Sequence, residues 1–130
     1  MIIVDNSVLV AFVFPQDDFH EAAMAARLKD ADWHAPALIR SESRNVARAY
    51  LRKGEPLATV QEAVRDASAS VRCYTMGDDE VLQVVSDGHL TAYDAEYVAL
   101  ARRLACRVVT QDRDILKFYR AESVSLADFV

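Results

Sequence analysis

The sequence predicts an α/β fold, a three-layer α/β/α sandwich around a central, mostly parallel sheet. Three observations predict it. Short β-branched runs alternate with longer helical stretches. The connections between the runs are long enough for the helical crossovers that parallel strands require. The first run, Ile2-Ile3-Val4, is continuously apolar rather than alternating, as suits a strand covered on both faces.

In chain order, Ile2 to Val4 is the first strand signal. Phe19 to Lys29 reads as a helix, and Trp33-His34-Ala35 as a short strand before Pro36. Ala37 to Arg52 reads as a helix stopped by Gly54 and Pro56. A further helix, Leu57 to Ala69, leads to a strand near Val71 to Tyr74. Asp78 to Ser86 is a short helix. Thr91 starts another that runs to Leu104, with Tyr93, Tyr97, Leu100, Ala101 and Leu104 as its core stripe. Arg107 to Thr110 is a strand, a helix begins near Ile115, and Ser123 to Leu126 is the last strand. No repeat or linker interrupts the pattern, so residues 1–130 are expected to form a single domain.

Composition narrows the class. In 130 residues, 52% are hydrophobic and 27% charged, with 3 Gly and 3 Pro, which excludes disorder and collagen-like repeats. Cys73 and Cys106 form no CxxC pair and are too few for a disulfide scaffold or a thiolate zinc site; they read as small apolar residues in a reducing compartment. The opening MIIVDNSVLVAFVFP is apolar, but it lacks a basic leader, contains Asp5 and is shorter than the ~20 residues of a membrane span. A soluble, cytoplasmic protein without a membrane partner is expected. The net charge of −5 argues against nucleic-acid binding over the whole surface, yet leaves room for a local basic strip.

Four carboxylates stand where open α/β sheets bind ligands, beyond the carboxyl ends of strands. Asp5 ends the first strand, between two apolar runs, where an acid is costly unless something pairs with it; a turn or cap role is its plain alternative. Asp112 ends the Arg107–Thr110 strand in the same way, and the two would converge if those strands are neighbours. A capping role fits Asp114 better than Asp112, because Asp114 directly precedes the apolar residues. Glu42 lies on the apolar face of its helix, with Leu38, Ile39, Val46 and Ala49 within about 60° of it; the alternative is a snorkelling surface acid. Asp94 borders the core stripe of its own helix, and Thr91-Ala92-Tyr93-Asp94 also fits a capping box. Acids brought together cannot all ionise without compensation. A hard divalent cation, Mg²⁺ or Mn²⁺, supplies it through oxygen ligands. His20, His34 and His89 are scattered and read as ordinary surface or core residues. A carboxylate-only site points to phosphate chemistry.

Twelve of the 15 basic residues are Arg, and Arg40, Arg44, Arg48 and Arg52 recur every four residues beside the Glu42 face. Such a strip is either a solvated face answering nearby acids or a guide for phosphates; Arg102 and Arg103 form a second, weaker basic point.

These residues reach a known family. The chain resembles a PIN-domain ribonuclease of the VapC type, the toxins of toxin–antitoxin pairs. The opening Ile2-Ile3-Val4-Asp5-Asn6-Ser7-Val8-Leu9 is similar to the family's first motif, and Ala35-Pro36-Ala37-Leu38-Ile39-Arg40-Ser41-Glu42 to its second. Leu90-Thr91-Ala92-Tyr93-Asp94-Ala95-Glu96-Tyr97-Val98-Ala99-Leu100-Ala101 is similar to the third and is the most specific stretch. Val108-Val109-Thr110-Gln111-Asp112-Arg113-Asp114 is similar to the fourth. Asn6 departs from the small or hydroxyl residue expected there. The resemblance implies that Asp5, Glu42, Asp94 and Asp112 are the catalytic and metal-binding set, with Asp5 and Asp94 the foremost ligands. Ser7 and Thr110 would orient ligands or waters, and Asp114 would be an outer acid. It also implies Mg²⁺- or Mn²⁺-dependent cleavage of single-stranded or loop RNA, for which Arg40, Arg44 and Arg48 of the basic strip are the candidate substrate contacts. The expected partners are the RNA, a small VapB-like antitoxin and a second copy of the chain.

Two rival readings carry their own signatures. A PIN fold kept for RNA or protein binding would lack metal-dependent turnover. A phosphatase of the aspartate-nucleophile type wants a second acid two residues after Asp5, where Ser7 stands, and a receiver wants a Lys where Gln111-Asp112-Arg113 stand.

Overall fold

The apolar runs at the start and middle of the chain pair into one sheet. In a computed structural model describing residues 1–130, the strands are β1 (Ile2–Val4), β2 (Trp33–Pro36), β3 (Arg72–Tyr74), β4 (Val108–Thr110) and β5 (Ser123–Ser125). Their order is β3-β2-β1-β4-β5, and every pairing is parallel. β1 lies at the centre, with Ile3 opposite His34 on one side and Val108 on the other. Its three residues are buried, which explains the unbroken apolar run.

The helices are α1 (Asn6–Val13), α2 (His20–Lys29), α3 (Ile39–Arg52), α4 (Leu57–Ala69), α5 (Asp78–Val85), α6 (Ala92–Leu104), α7 (Arg113–Phe118) and α8 (Leu126–Phe129). From β1 the chain first moves outward through β2 to β3, then returns to β4 and β5 on the other side. Right-handed crossovers therefore place α1–α4 on one face and α5–α7 on the other. Packing agrees: α1 lies against α2, α3 and α4, while α5 lies against α6. This is the α/β/α sandwich that the alternation predicts, with a sheet that is wholly parallel.

The structure corrects several local expectations. The segment after Asp5 is a helix, α1, which the periodicity did not reveal. Val8, Leu9, Val10 and Ala11 are all buried, so no polar face marks it. The last strand ends at Ser125, and Leu126 instead opens α8, with the Ser125 hydroxyl accepting from the Asp128 N–H. Tyr93 is the largest departure. The stripe assigns it to the core, yet it is 71% exposed, whereas Tyr97, one turn later, is 2% exposed.

The topology creates one special place. Between β1 and β4 the connections diverge, one leading to α1 on one face and the other to α7 on the opposite face. A crevice opens at the carboxyl ends of two such strands. Asp5 and Asp112 leave the sheet there.

Candidate active site

Asp5 follows β1 directly and is 8% exposed. Its carboxylate N-caps α1: Oδ1 accepts from the Val8 N–H at 3.2 Å and from the Ser7 hydroxyl at 2.6 Å. Oδ2 accepts from the hydroxyl of Thr110, the last residue of β4, whose side chain is wholly buried. The Thr110 oxygen in turn accepts from the Asp112 N–H at 2.9 Å. This chain of bonds ties the two strand ends together across the crevice. Burial pushes the Asp5 carboxyl up from its ordinary range, the Ser7, Thr110 and Val8 donors oppose that rise, and the Asp112 charge adds to it.

Asp112 is the N-cap of α7, and its Oδ1 accepts from the Ile115 N–H at 2.9 Å. The expectation favoured Asp114 for this role. Asp114 instead lies inside the first turn of α7 and is exposed. The cap uses the residue whose backbone is still extended, and Asp114 is already helical.

Glu42 comes from the first turn of α3 and is half-buried. The Tyr97 hydroxyl, from α6, donates to its Oε1 at 2.5 Å. Burial raises the Glu42 pKa, Tyr97 counters it, and the charges of Asp94, Asp5 and Glu96 raise it further. The Tyr97 hydroxyl is itself pushed far up by burial and by Glu42, so it stays a donor. Asp94 sits in the first turn of α6, where its N–H donates to the Thr91 hydroxyl at 3.2 Å. Burial raises its pKa, as do Asp112 and Asp114, against the Thr91 hydroxyl.

The structure thus brings the four acids into one electrostatic neighbourhood from β1, α3, α6 and the end of β4. Each of Asp5, Glu42 and Asp94 is raised by at least one of the others. None of the ion pairs in the chain includes any of the four. No three His, Cys, Asp or Glu side chains gather tightly enough to cage an ion. The donor set still fits Mg²⁺ or Mn²⁺: it is all oxygen, it lacks cationic partners, and Mg²⁺ commonly keeps several waters while using one or two carboxylates.

Two supports were not visible in the sequence. Asn6, the unexpected amide, lies 3.1 Å from the buried Ser43 hydroxyl, which donates more closely to the Ile39 carbonyl at 2.8 Å, and the contact sets α1 against α3 beside Glu42. Tyr97 carries a hydroxyl into a core position, and the need of a buried phenol for a partner was the signal available. Of the arginine row, Arg44 and Arg48 line a cavity of about 580 Å³ together with Glu42, Asn45 and Tyr93. Arg40 is exposed and does not line it. Of the histidines, His34 is buried between Asp32 and Tyr74, and His89 stacks on Phe118.

Comparison with known proteins follows the same geometry. The fold is similar to that of PAE2754 from Pyrobaculum aerophilum, with a TM-score of 0.73 and 24% identity over 98% of this chain and 90% of that one. It is also similar to Mycobacterium tuberculosis VapC20, a sarcin–ricin loop cleaving toxin, with a TM-score of 0.69 and 17% identity over 95% of this chain and 97% of that one. At these identities the likeness is one of fold. No curated protein matches the chain in sequence. The family model described as PIN domain matches residues 2–121, from the start of β1 to the turn after α7, and the chain belongs to that family.

Proposed function

We propose that this protein is a divalent-metal-dependent endoribonuclease, the toxin of a toxin–antitoxin pair. The observation that carries the reading is the pair Asp5 and Asp112 at the crevice between β1 and β4, with Glu42 and Asp94 near enough to feel their charges and no basic partner for any of the four. Asp5 and Asp94 would be the foremost oxygen ligands to Mg²⁺ or Mn²⁺, with Asp112 next and Glu42 beside them, one or two binding directly and the others through the ion's waters. A bound cation lowers the pKa of a water and stabilises the leaving 3′ oxygen.

The chain's own residues do the rest. Ser7 and Thr110 hold the Asp5 carboxylate in one orientation, and Tyr97 holds Glu42. Arg44 and Arg48 take phosphates of the strand in the adjoining cavity, with Arg40 a more distant contact. Asp114 acts from outside through its field on Asp94.

The toxin assignment rests on the PIN family and on the fold likeness to VapC20. It brings with it a VapB-like antitoxin that sets an Arg among these acids, a homodimer and a cytoplasmic setting. No helix is long and apolar enough to cross a membrane.

Purified protein without antitoxin is incubated with total RNA in Mg²⁺, Mn²⁺ or EDTA, beside folded Asp5→Asn and Asp94→Asn variants. Discrete fragments that need metal and vanish in both variants are expected. The absence of a three-acid cage favours one alternative, a PIN fold that binds RNA or protein without cutting. RNA binding with no fragments under any metal would establish that alternative.

A further inference from the structure

Tyr93 has no structural employment. It occupies the second position of α6, between the capping residue Thr91 and the candidate ligand Asp94, and it is 71% exposed. Its ring takes part in none of the aromatic or cation contacts of the chain. Yet it is not an isolated surface aromatic. It forms one side of the cavity whose other lining includes Glu42, Arg44, Asn45 and Arg48. The depression, of about 580 Å³, is wide open to solvent, as suits part of a strand rather than an enclosed small molecule.

An open aromatic ring, two guanidinium groups and an amide line one depression, with the Glu42 carboxylate at its wall, and together they match the parts of a single nucleotide. Phosphates pair with Arg. A base has a π-face that stacks on an aromatic ring whatever its identity. Duplex RNA hides that face inside its own stack, whereas loops and single strands can splay it out. Resting on the endoribonuclease reading, we propose that Tyr93 is the stacking platform for one unpaired base next to the scissile phosphate, and that it makes the site select unpaired over duplex RNA. Asn45, exposed in the same cavity, presents an amide to the edge of that base.

Binding is measured by fluorescence anisotropy of a labelled oligouridylate and of a labelled RNA duplex. All proteins carry Asp112→Asn, which disables turnover and keeps a good capping side chain for α7. Tyr93→Ala is expected to weaken binding of the single strand by roughly 5- to 150-fold, the range of one lost stack, and to leave duplex binding unchanged. Tyr93→Phe and Tyr93→Trp should bind as the parent does. A 2-aminopurine placed in the strand should be quenched by the parent and Tyr93→Phe proteins and not by Tyr93→Ala.

Single-strand binding that Tyr93→Ala leaves intact, while Arg44→Ala or Arg48→Ala weakens it, overturns the stacking role and leaves the nuclease reading standing. Equal loss for single strand and duplex overturns it as well. Absence of RNA binding by the parent overturns both. The exposure of Tyr93 means that the substitution removes no core contact, and unchanged thermal unfolding verifies this.

Discussion

Replacing Asp5 by Asn removes a charge that the fold buries without a basic partner. In the metal-free protein this should raise stability. The carboxylate accepts three hydrogen bonds, from Ser7, Val8 and Thr110. Bonds to an ionised acceptor are each about 1 kcal/mol stronger than neutral ones, so the substitution weakens the set by about 3 kcal/mol. Against that stands the desolvation of a nearly fully buried ion, several kcal/mol, plus repulsion from Asp112. The amide preserves part of the bonding pattern: its oxygen accepts from Ser7 and Val8, but its N–H₂ takes the place of the oxygen that accepts from the buried Thr110 hydroxyl, a loss of about 1 kcal/mol more. The net expectation is a smaller gain of about 1 kcal/mol, or about 4 °C in Tm for a chain of this size. Thermal unfolding in EDTA measures it. The sign should then reverse with metal, because Mg²⁺ or Mn²⁺ at 100 times its Kd stabilises the parent by about 2.7 kcal/mol and the variant by much less. A variant less stable than the parent in EDTA would refute the argument from unpaired charge. Metal stabilisation equal in both proteins would remove Asp5 from the ligand set.

Other expectations follow from the same geometry. The folded-state pKa values of Asp5, Glu42 and Asp94 are raised, so the folded protein binds protons more tightly than the unfolded chain. Metal-free stability should therefore fall as pH rises from about 4 towards neutrality. Asp30, held down by the N-terminal ammonium, acts in the opposite sense from an exposed pair and contributes little. Denaturation in EDTA across that range checks the slope, and a rise with pH counts against it. Tyr97→Phe removes only the hydroxyl that holds Glu42. It should cost about 1 kcal/mol of stability, because Glu42 is half-buried and regains water, while turnover falls at least tenfold in a single-turnover cleavage assay. Arg44→Ala and Arg48→Ala should each flatten the salt dependence of RNA binding by about 0.7 in log–log slope. Arg40→Ala, a more distant contact outside the cavity, should flatten it by less.

Much of this protein is legible in the sequence because its strands are short, apolar and doubly covered. Burial on both faces turns Ile2-Ile3-Val4 and Val108-Val109-Thr110 into unbroken apolar runs, and an acid at the end of such a run stands out. Asp5 and Asp112 could be singled out on that ground; Glu42 could not, since the buried face of α3 is Ile39, Ser43 and Ala47 rather than Val46 and Ala49, and Glu42 lies at its edge. Helix α1 could not either, since four consecutive buried apolar residues, Val8 to Ala11, leave no polar face in its middle for periodicity to read. The exchange of roles between Asp112 and Asp114 turned on where the backbone leaves the extended region, which composition does not encode. Tyr93 shows the limit most clearly. Helical spacing aligns it with Tyr97 and Leu100, but at the start of α6 it is Ala95 that enters the core, and the Tyr93 ring is left in the open depression beside Glu42. Which residues alternate is a property of the chain. Which of them reach the crevice between β1 and β4, and which charges then meet there without a counterion, depends on strand order and helix placement. Those are set by the packing of distant segments.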